Sequence, residues 1–390
     1  MTAIREIDLA GTDWALDDVP GYDRCMIVVR WRRRVVGRIF VPVTAGRIDR
    51  KAVERAIAAG PGQEAVSRWI DETLAVPAPA GPEPGLATVA ICTRDRPDDV
   101  QRALRAVVAL HPGPGDVLVV DNAPRTDATR LAVQQFPSVR YVLEGRAGLN
   151  AARNRALREA RGEIVAFTDD DAVPEPEWLQ GLLRGFARPR VVCSTGLTLP
   201  LELDTPAQEQ FEDYTTFVRG FSRRVFDGCS MDPLAVGAVG AGANMAVRRE
   251  VVLALGGFDE RLDAGTPTRS GGDHEMFTRI LAAGYQIAYE PDAVSWHRHR
   301  RTDRELTEAV HGYGVGVYAM WTGLLYERGE HGVFRLAWLW LRQGQLPALF
   351  GRHPAGQHMA RLARAELRGC LRGPAAWFAS RRLLQKERAC

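Results

Sequence analysis

The sequence has 390 residues and a net charge of +3; 46% of its residues are hydrophobic and 25% are charged. This length allows two or three domains with a sizeable core, and the ordinary composition excludes the compositionally biased classes. No run of about 18 apolar residues occurs, so we expect no ordinary transmembrane helix. The acidic N-terminal stretch predicts no signal peptide. Six cysteines without CxxC spacing favour a reducing compartment and imply no zinc site, so we predict a cytoplasmic protein.

The N-terminal quarter of the chain predicts a small α+β unit. Two β-rich runs, residues 25–31 and 35–43, flank a basic turn and read as a hairpin, and residues 48–59 and 63–74 have helical spacing. Four prolines then fall within the ten residues 76–85. Such a segment is a stiff linker, so we place domain boundaries at 1–75 and 76–86.

Residues 87–302 predict an α/β domain with a mostly parallel sheet. Strands at 87–92, 117–120, 139–142 and 164–168 alternate with helices of 10–15 residues. That alternation is typical of right-handed βαβ units. Ligands of such sheets bind outside the carboxyl ends of the strands.

An acidic cluster directly follows the strand at 164–168. Asp169, Asp170 and Asp171 are consecutive, and clustered carboxylates raise one another's pKa unless a cation compensates. A divalent metal that shares its ligand shell with phosphate oxygens is the usual cation. The alternative is an acidic helix N-cap before the polar turn at 174–177.

Other strand ends carry residues suited to a nucleotide. Arg94 and Arg96 can neutralise phosphate, Asp121 can accept hydrogen bonds from a base or ribose, and Gly148 opens a helix N-terminus to an anion. Each has a simpler explanation, such as an Arg94–Asp95 pair or a turn at Asp121. Their convergence on one sheet edge favours a nucleotide crevice.

Four segments, 93–97, 119–122, 148–154 and 167–171, resemble family 2 glycosyltransferases in residues, order and spacing. The resemblance covers about residues 86–302. It implies the GT-A fold, an inverting reaction, and a nucleoside-diphosphate sugar as donor, with a UDP-sugar favoured. It also implies that Thr93 and Asp121 hold the base, Asp170 the ribose, and Asp171 a Mn²⁺ or Mg²⁺ ion in a DXD-type motif. The donor-binding residues that we predict are Thr93, Arg94, Arg96, Asp121, Gly148, Arg153, Asp169, Asp170 and Asn244, the last from a Gly-x-Asn segment of the same family.

The resemblance also indicates the catalytic base and a second metal ligand. It places Asp273 at the position of the general base and Glu275 at that of a second acid, although Gly272 replaces the Glu usually found before the base. The alternative for Asp273 is a helix N-cap. Neutral imidazole is a good ligand for divalent metals, and the resemblance favours His297, with His299 as the alternate.

Residues 303–390 read as helices with a basic end. From 331 to 390 there are eleven Arg or Lys against two acids, a net charge of +9. Together with aromatic residues, this pattern suits a helix at a membrane surface; packing on the catalytic domain is the alternative.

These observations predict a metal-dependent, inverting glycosyltransferase of cell-envelope or polysaccharide biosynthesis. It would act on a hydroxyl of a glycan, a lipid-linked or a natural-product acceptor, with no nucleic-acid partner. Its expected location is the cytoplasm, with a peripheral position on the inner face of the membrane as an option. The alternatives are a nucleotidyltransferase on a related sheet and a non-catalytic scaffold that binds nucleotide sugars.

Overall fold

A computed structural model describes residues 1–11, 14–16, 19–74, 80–215, 217–350 and 357–389. The first part of the chain forms a four-stranded sheet in which β1 runs parallel to β2, while β2, β3 and β4 are antiparallel neighbours. The hairpin at β2 and β3 and both helices were predicted, whereas β1 was not. The elements are β1 (Thr2–Asp8), β2 (Arg24–Trp31), β3 (Arg34–Thr44), β4 (Arg47–Ile48), α1 (Arg50–Ala59) and α2 (Pro61–Thr73). Of the predicted linker, residues 76–79 lie outside the described residues.

The central part of the chain forms a large mixed sheet flanked by helices. Its strands are β5 (Ala87–Thr93), β6 (Asp116–Asn122), β7 (Val139–Glu144), β8 (Ile164–Asp169), β9 (Ala172–Pro174), β10 (Val191–Pro200), β11 (Arg224–Asp227), β12 (Asn244–Arg248) and β13 (Gln286–His297). Its helices are α3 (Pro97–Val108), α4 (Ala128–Val133), α5 (Leu149–Glu159), α6 (Trp178–Arg184), α7 (Pro206–Thr215), α8 (Arg249–Ala254) and α9 (Gly272–Ala282). The strand order is β11-β13-β10-β12-β8-β5-β6-β7, with β9 paired to β13.

Among the described strands of this sheet, four pairings are parallel and four are antiparallel; the parallel pairings that join β8, β5, β6 and β7 are those that the alternating pattern predicts. The exceptions among the described strands include β12, which is antiparallel to both β8 and β10 and was not predicted. Two apolar clusters cover the sheet, one built around Val89, Leu104 and Trp178 and the other around Leu118, Phe167 and Phe277. Burial of both faces explains why these strands are continuous apolar runs rather than alternating ones.

The C-terminal part is helical and packs against the central part. Its helices are α10 (Asp303–Arg328), α11 (Gly332–Trp340), α12 (Leu346–Leu349) and α13 (Gln357–Ala389), with a π-helical turn at Leu341–Gln345. Thr302 and Glu305 form a capping box that starts α10. Buried Trp377 and Met320 join α13 to α10. Within the described residues, none of the helices combines the length and the apolar character needed to cross a membrane.

Candidate active site

Three neighbouring strands bring polar residues to one edge of the central sheet. The parallel register sets Thr93 at the end of β5 beside Asp121 at the end of β6. Strand β5 also pairs with β8, and this register sets Cys92 beside Asp169 at the end of β8. The strand ends that the sequence predicts to converge therefore lie side by side, at the edge where α/β sheets bind ligands.

The carboxylates of the acidic cluster have different partners. Asp170 accepts hydrogen bonds from Thr93 Oγ1 at 2.6 Å and from Arg96 Nη1 at 3.0 Å. Burial, together with the nearby charge of Asp171, raises the pKa of Asp170 to about 6. Burial acts in the same direction on Asp171, but His297, Arg300 and Arg96 outweigh it and lower its pKa. Of these two carboxyl groups, Asp171 is therefore the one that stays ionised at neutral pH and below.

Asp169, Asp171 and His297 form a group that could hold a metal ion. Each offers one ligand atom, and these atoms all lie within 4.8 Å of one another. Strand β9 makes this possible: it follows the acidic cluster and pairs antiparallel with the end of β13, where Ala172 faces His297. His297 Nε2 consequently lies 3.2 Å from Asp171 Oδ1.

The donor set of this group fits a divalent ion. Two carboxylates and one imidazole are ligands that Mn²⁺ and Mg²⁺ accept. The pKa of Asp169 is raised by burial and then by the charge of Asp171, so the two carboxylates repel each other without a cation. Arg300 Nη1, 3.6 Å from Asp171 Oδ2, adds positive charge on one side.

Asp273 lies in the first turn of α9, after Gly271, which adopts a left-handed φ of +93°. Its carboxylate accepts hydrogen bonds from the backbone N–H groups of Gly242 and His274, each at 2.8 Å. Burial acts to raise the pKa of Asp273, but His274, Arg153 and these two N–H groups outweigh it and lower the pKa. Asp273 is therefore ionised at neutral pH, as a general base must be.

Asp263 fills the space that the missing side chain at position 272 leaves. A Cβ atom built on Gly272 would lie 2.6 Å from Asp263 Oδ2 and 2.2 Å from Asn150 Nδ2, closer than real contacts allow. Sequence reasoning missed Asp263 because it lies in a loop nine residues before Gly272. The structure thus places a carboxylate beside Asp273 from a different segment of the chain.

Arg153 is a buried cation among the carboxylates. Its Nη1 donates to Asp263 Oδ2 at 2.8 Å and to Asn150 Oδ1 at 3.1 Å. Burial acts to lower the pKa of Arg153, but Asp263, Asp169 and Asp273 outweigh it. The arginine that we predicted to bind the donor is therefore already committed to internal carboxylates.

Three more of the predicted donor residues, Asp121, Arg94 and Gly148, already have partners within the protein. Asp121 Oδ2 accepts from Tyr141 Oη at 3.0 Å, while its buried Oδ1 has no hydrogen-bond partner among the described residues. Arg94 lies 3.8 Å from Asp95, the simpler pairing that the sequence left open. The N–H of Gly148 donates to Asn122 Oδ1 at 2.8 Å, so it already has an acceptor.

Asn244 is not brought to the crevice with the others. Its side chain is fully buried and holds three elements together: Oδ1 accepts from Trp178 Nε1 at 2.8 Å, and Nδ2 donates to Leu197 O at 3.1 Å and to Ala293 O at 3.0 Å. Glu275 is also separate from the crevice, because it forms a two-bond ion pair with Arg279 at 2.7 Å.

A cavity of about 340 Å³ connects the two chemical centres. It is lined by Asp169 and His297 on one side and by Asp273 on the other. Aromatic side chains from α7, its following loop and the C-terminal helices complete the wall: Phe211, Phe217, Tyr313 and Trp340. The metal-binding group and the ionised carboxylate therefore face the same space.

The glycosyl transferase family 2 model matches residues 88–252, which contain this sheet edge and the acidic cluster. Over these residues, the family 2 assignment, the fold class and the glycosyltransferase class that the sequence predicts are confirmed.

Similar proteins carry the same class name. Glycosyltransferase AglE of Haloferax volcanii is 28% identical over 274 residues, 67% of this chain and 81% of that protein. The pre-mycofactocin glycosyltransferase of Mycobacterium tuberculosis is 27% identical over 252 residues, 63% of this chain but only 50% of that protein. A solved mannosyltransferase from Pyrobaculum calidifontis, in complex with GDP-Man and Mn²⁺, is 22% identical, covers 83% of this chain and 82% of its own, and has a TM-score of 0.45.

The substitution Asn244→Ala tests whether Asn244 is structural. We expect it to lower the free energy of unfolding by about 3 kcal/mol, because it leaves a buried indole N–H and two carbonyl oxygens without partners. Chemical denaturation followed by circular dichroism measures this change. An unchanged stability of Asn244→Ala would refute the structural role.

Proposed function

We propose that the protein transfers a sugar from a nucleoside-diphosphate sugar to an acceptor hydroxyl with inversion at the anomeric carbon. The observation that carries this proposal is that ionised Asp273 borders the same cavity as Asp169 and His297, two members of the Asp169–Asp171–His297 group. In a single displacement, the acceptor oxygen bonds to the anomeric carbon while the bond from that carbon to the diphosphate oxygen breaks. Asp273 takes the proton of the acceptor hydroxyl, and the electron pair leaves with the diphosphate.

The donor would lie along the carboxyl edge of the sheet. The unpartnered Oδ1 of Asp121 would accept an N–H of the base, which favours bases with such a group, uracil among them. Asp171 and His297, with Asp169, would hold a Mn²⁺ or Mg²⁺ ion. Such an ion supplies positive charge beside the diphosphate, and Arg300 adds to it without any proton transfer.

The acceptor would enter from the aromatic side of the cavity. Phe217, Tyr313 and Trp340 line the cavity there, and aromatic side chains suit the apolar face of a sugar or another ring. The proposed acceptor is therefore a hydroxyl on a ring-containing molecule, either a glycan, free or lipid-linked, or a natural product. The nucleotidyltransferase alternative leaves the ionised Asp273 without a proton to accept.

We further propose that α13 contacts an anionic membrane surface. Its exposed face carries basic side chains at Arg364, Arg368 and Arg372, and Leu371 between them is 84% exposed. Basic residues around exposed apolar ones are typical of helices that lie in a membrane interface. The enzyme would then be a peripheral protein at the inner face of the membrane.

Asp273→Asn tests the catalytic base. We expect kcat to fall by about 10²–10⁴-fold, because the amide cannot take the acceptor proton. Nucleotide affinity should stay the same, since Asn is isosteric and Asp273 does not contact the acidic cluster. Sugar-transfer assays with calorimetric titration of nucleotide measure both. Wild-type activity in this variant would refute the role of Asp273 as the catalytic base.

Asp171→Asn tests the metal and the donor together. Calorimetric titration with UDP, GDP and dTDP, each with and without Mn²⁺, should give tight binding of one nucleotide only when metal is present. In Asp171→Asn we expect that metal-dependent binding to disappear, because the site loses its permanent anion. Asp127→Asn, at an exposed pair with Arg130, is the control. Failure of every nucleotide to bind the wild type would contradict the proposed function.

Arg368→Gln with Arg372→Gln tests the membrane contact. Each basic residue near an anionic surface contributes about 1 kcal/mol, so the double variant should bind vesicles containing phosphatidylglycerol at least about tenfold more weakly. Co-sedimentation at several salt concentrations measures this. The matched control is Arg33→Gln with Arg304→Gln, two exposed arginines elsewhere. Equal binding to pure phosphatidylcholine would rule out an electrostatic contact.

A further inference from the structure

A second cavity lies between the central part of the chain and the C-terminal helices. Its volume is about 620 Å³, within the usual range for pockets that bind small molecules. Its walls come from α5, the end of α8 with the loop that follows it, α9, α10 and α13. Among the described residues, it shares no lining residue with the cavity that Asp169, His297 and Asp273 border. The proposed sugar transfer therefore makes no use of this second cavity.

The carboxylates that line the second cavity are all engaged by arginines. Arg261, for example, lies between two of them, and its Nη2 donates to Asp259 at 2.8 Å and to Glu327 at 2.9 Å. Both oxygens of every carboxylate in the lining accept a hydrogen bond from an arginine, and the four acids are Asp259, Glu260, Glu275 and Glu327. The cavity consequently has no free carboxylate with which to bind a cation.

Three arginines of the lining are not engaged in this way. The guanidinium groups of Arg328 and Arg381 form no hydrogen bond and no ion pair with any described residue. Arg158 lies 3.9 Å from Glu144, too far for a hydrogen bond. A guanidinium group only donates hydrogen bonds and is always charged. The unused charged groups of the cavity are therefore all cations, so the ligand that fits it is an anion.

Arg381 is held in place although it has no carboxylate partner. Its guanidinium carbon lies 5.0 Å from the ring centre of Tyr326 and 5.6 Å from that of Trp377. Stacking on aromatic faces fixes the guanidinium plane, and the N–H groups at its edge stay available to a ligand. Arginine is the side chain best suited to bind two oxygens of a phosphate at once. Among anions, this favours a phosphate group.

The remainder of the wall is largely aliphatic. Three half-buried leucines leave apolar surface open on opposite sides of the cavity, and three buried side chains lie behind them. The half-buried residues are Leu253, Leu255 and Leu384, and the buried ones are Leu262, Met320 and Leu324. Covering such surface with an apolar chain is favourable, because it removes that surface from water. The lining therefore suits a phosphate that carries an aliphatic chain.

The second cavity and the active-site cavity are bordered by the same three segments of the chain. In each segment, a residue of one cavity lies next to, or two positions from, a residue of the other. The pairs are Asn154 and Arg153 in α5, Leu262 and Asp263 before α9, and Glu275 and Asp273 in α9. A ligand that fixes these segments in the second cavity thus also fixes residues around Asp273.

We propose that the second cavity binds a phosphate ester with an aliphatic chain and that this ligand orders the loop and helix that carry Asp263 and Asp273. The phosphate would bind Arg328 and Arg381, and the chain would pack on the leucines. Such coupling between two sites is reciprocal. The inference goes beyond the proposed sugar transfer and does not depend on it.

Calorimetric titration of the full-length protein with hexyl phosphate, in buffer without metal, tests the site. We expect hexyl phosphate to bind at least about tenfold more tightly than inorganic phosphate or glycerol 3-phosphate, a factor that burial of about two methylene groups provides. Arg328→Gln and, separately, Arg381→Gln should each weaken this binding about tenfold, because each removes charge-assisted hydrogen bonds. The matched control is Arg382→Gln, which removes an exposed arginine of α13 outside the cavity and should change nothing.

Amide hydrogen exchange tests the coupling. We expect hexyl phosphate to slow exchange in residues 258–275 of the wild type but not in Arg328→Gln. No binding to the wild type, or an equal loss in Arg382→Gln, would overturn the site. Equally tight binding of glycerol 3-phosphate would overturn the aliphatic class, and unchanged exchange would overturn the coupling. Neither measurement involves nucleotide or sugar transfer, so this inference and the proposed function can fail independently.

Discussion

The concentration of negative charge at one edge of the central sheet is the constraint on which the rest of the site depends. Asp169, Asp170 and Asp171 end one strand, and Asp263 and Asp273 approach from a later loop and helix. A buried arginine, Arg153, lies among three of these carboxylates but cannot neutralise them all. The remaining negative charge has to be compensated by protons, by other cations or by a ligand. The compensation differs from one carboxylate to the next. Asp170 has its pKa raised to about 6, whereas Asp273 is held ionised by the backbone of Gly242 and His274.

The fold and the donor edge could be predicted because their signals are local in sequence. Apolar runs that end in Thr93, Asp121 and Asp169 mark strands and their carboxyl ends, and the parallel register then sets these ends side by side. The reversed strand β12 escaped prediction because a glycine-rich segment precedes it and its pairing partners lie far away in the chain. Asn244 was placed in the crevice for the same reason: its three bonds are made to residues 47 to 66 positions away.

The structure explains the surroundings of Gly272, which departs from the family pattern, whereas the sequence alone does not. In the sequence, the missing acid before Asp273 leaves the orientation of the base unexplained. In the structure, Asp263 Oδ2 stands where a side chain at position 272 would be, and Arg153 binds it. A side chain at position 272 would therefore displace the side chains of Asp263 and Asn150, because its Cβ would lie within 3 Å of both. The absence of a side chain at Gly272 and the position of the Asp263 carboxylate therefore belong together.

The proposed base and one of the proposed metal ligands come from outside the segment that matches the family. Residues 88–252 supply the sheet edge and the acidic cluster, whereas Asp273 and His297 follow that segment. Tyr313 and Trp340 reach the cavity from the C-terminal helices. The flanking parts of the chain thus complete the space that the acidic cluster borders. Under the proposed function, changes in these parts would alter acceptor recognition while the strand ends proposed to bind the nucleotide stay the same.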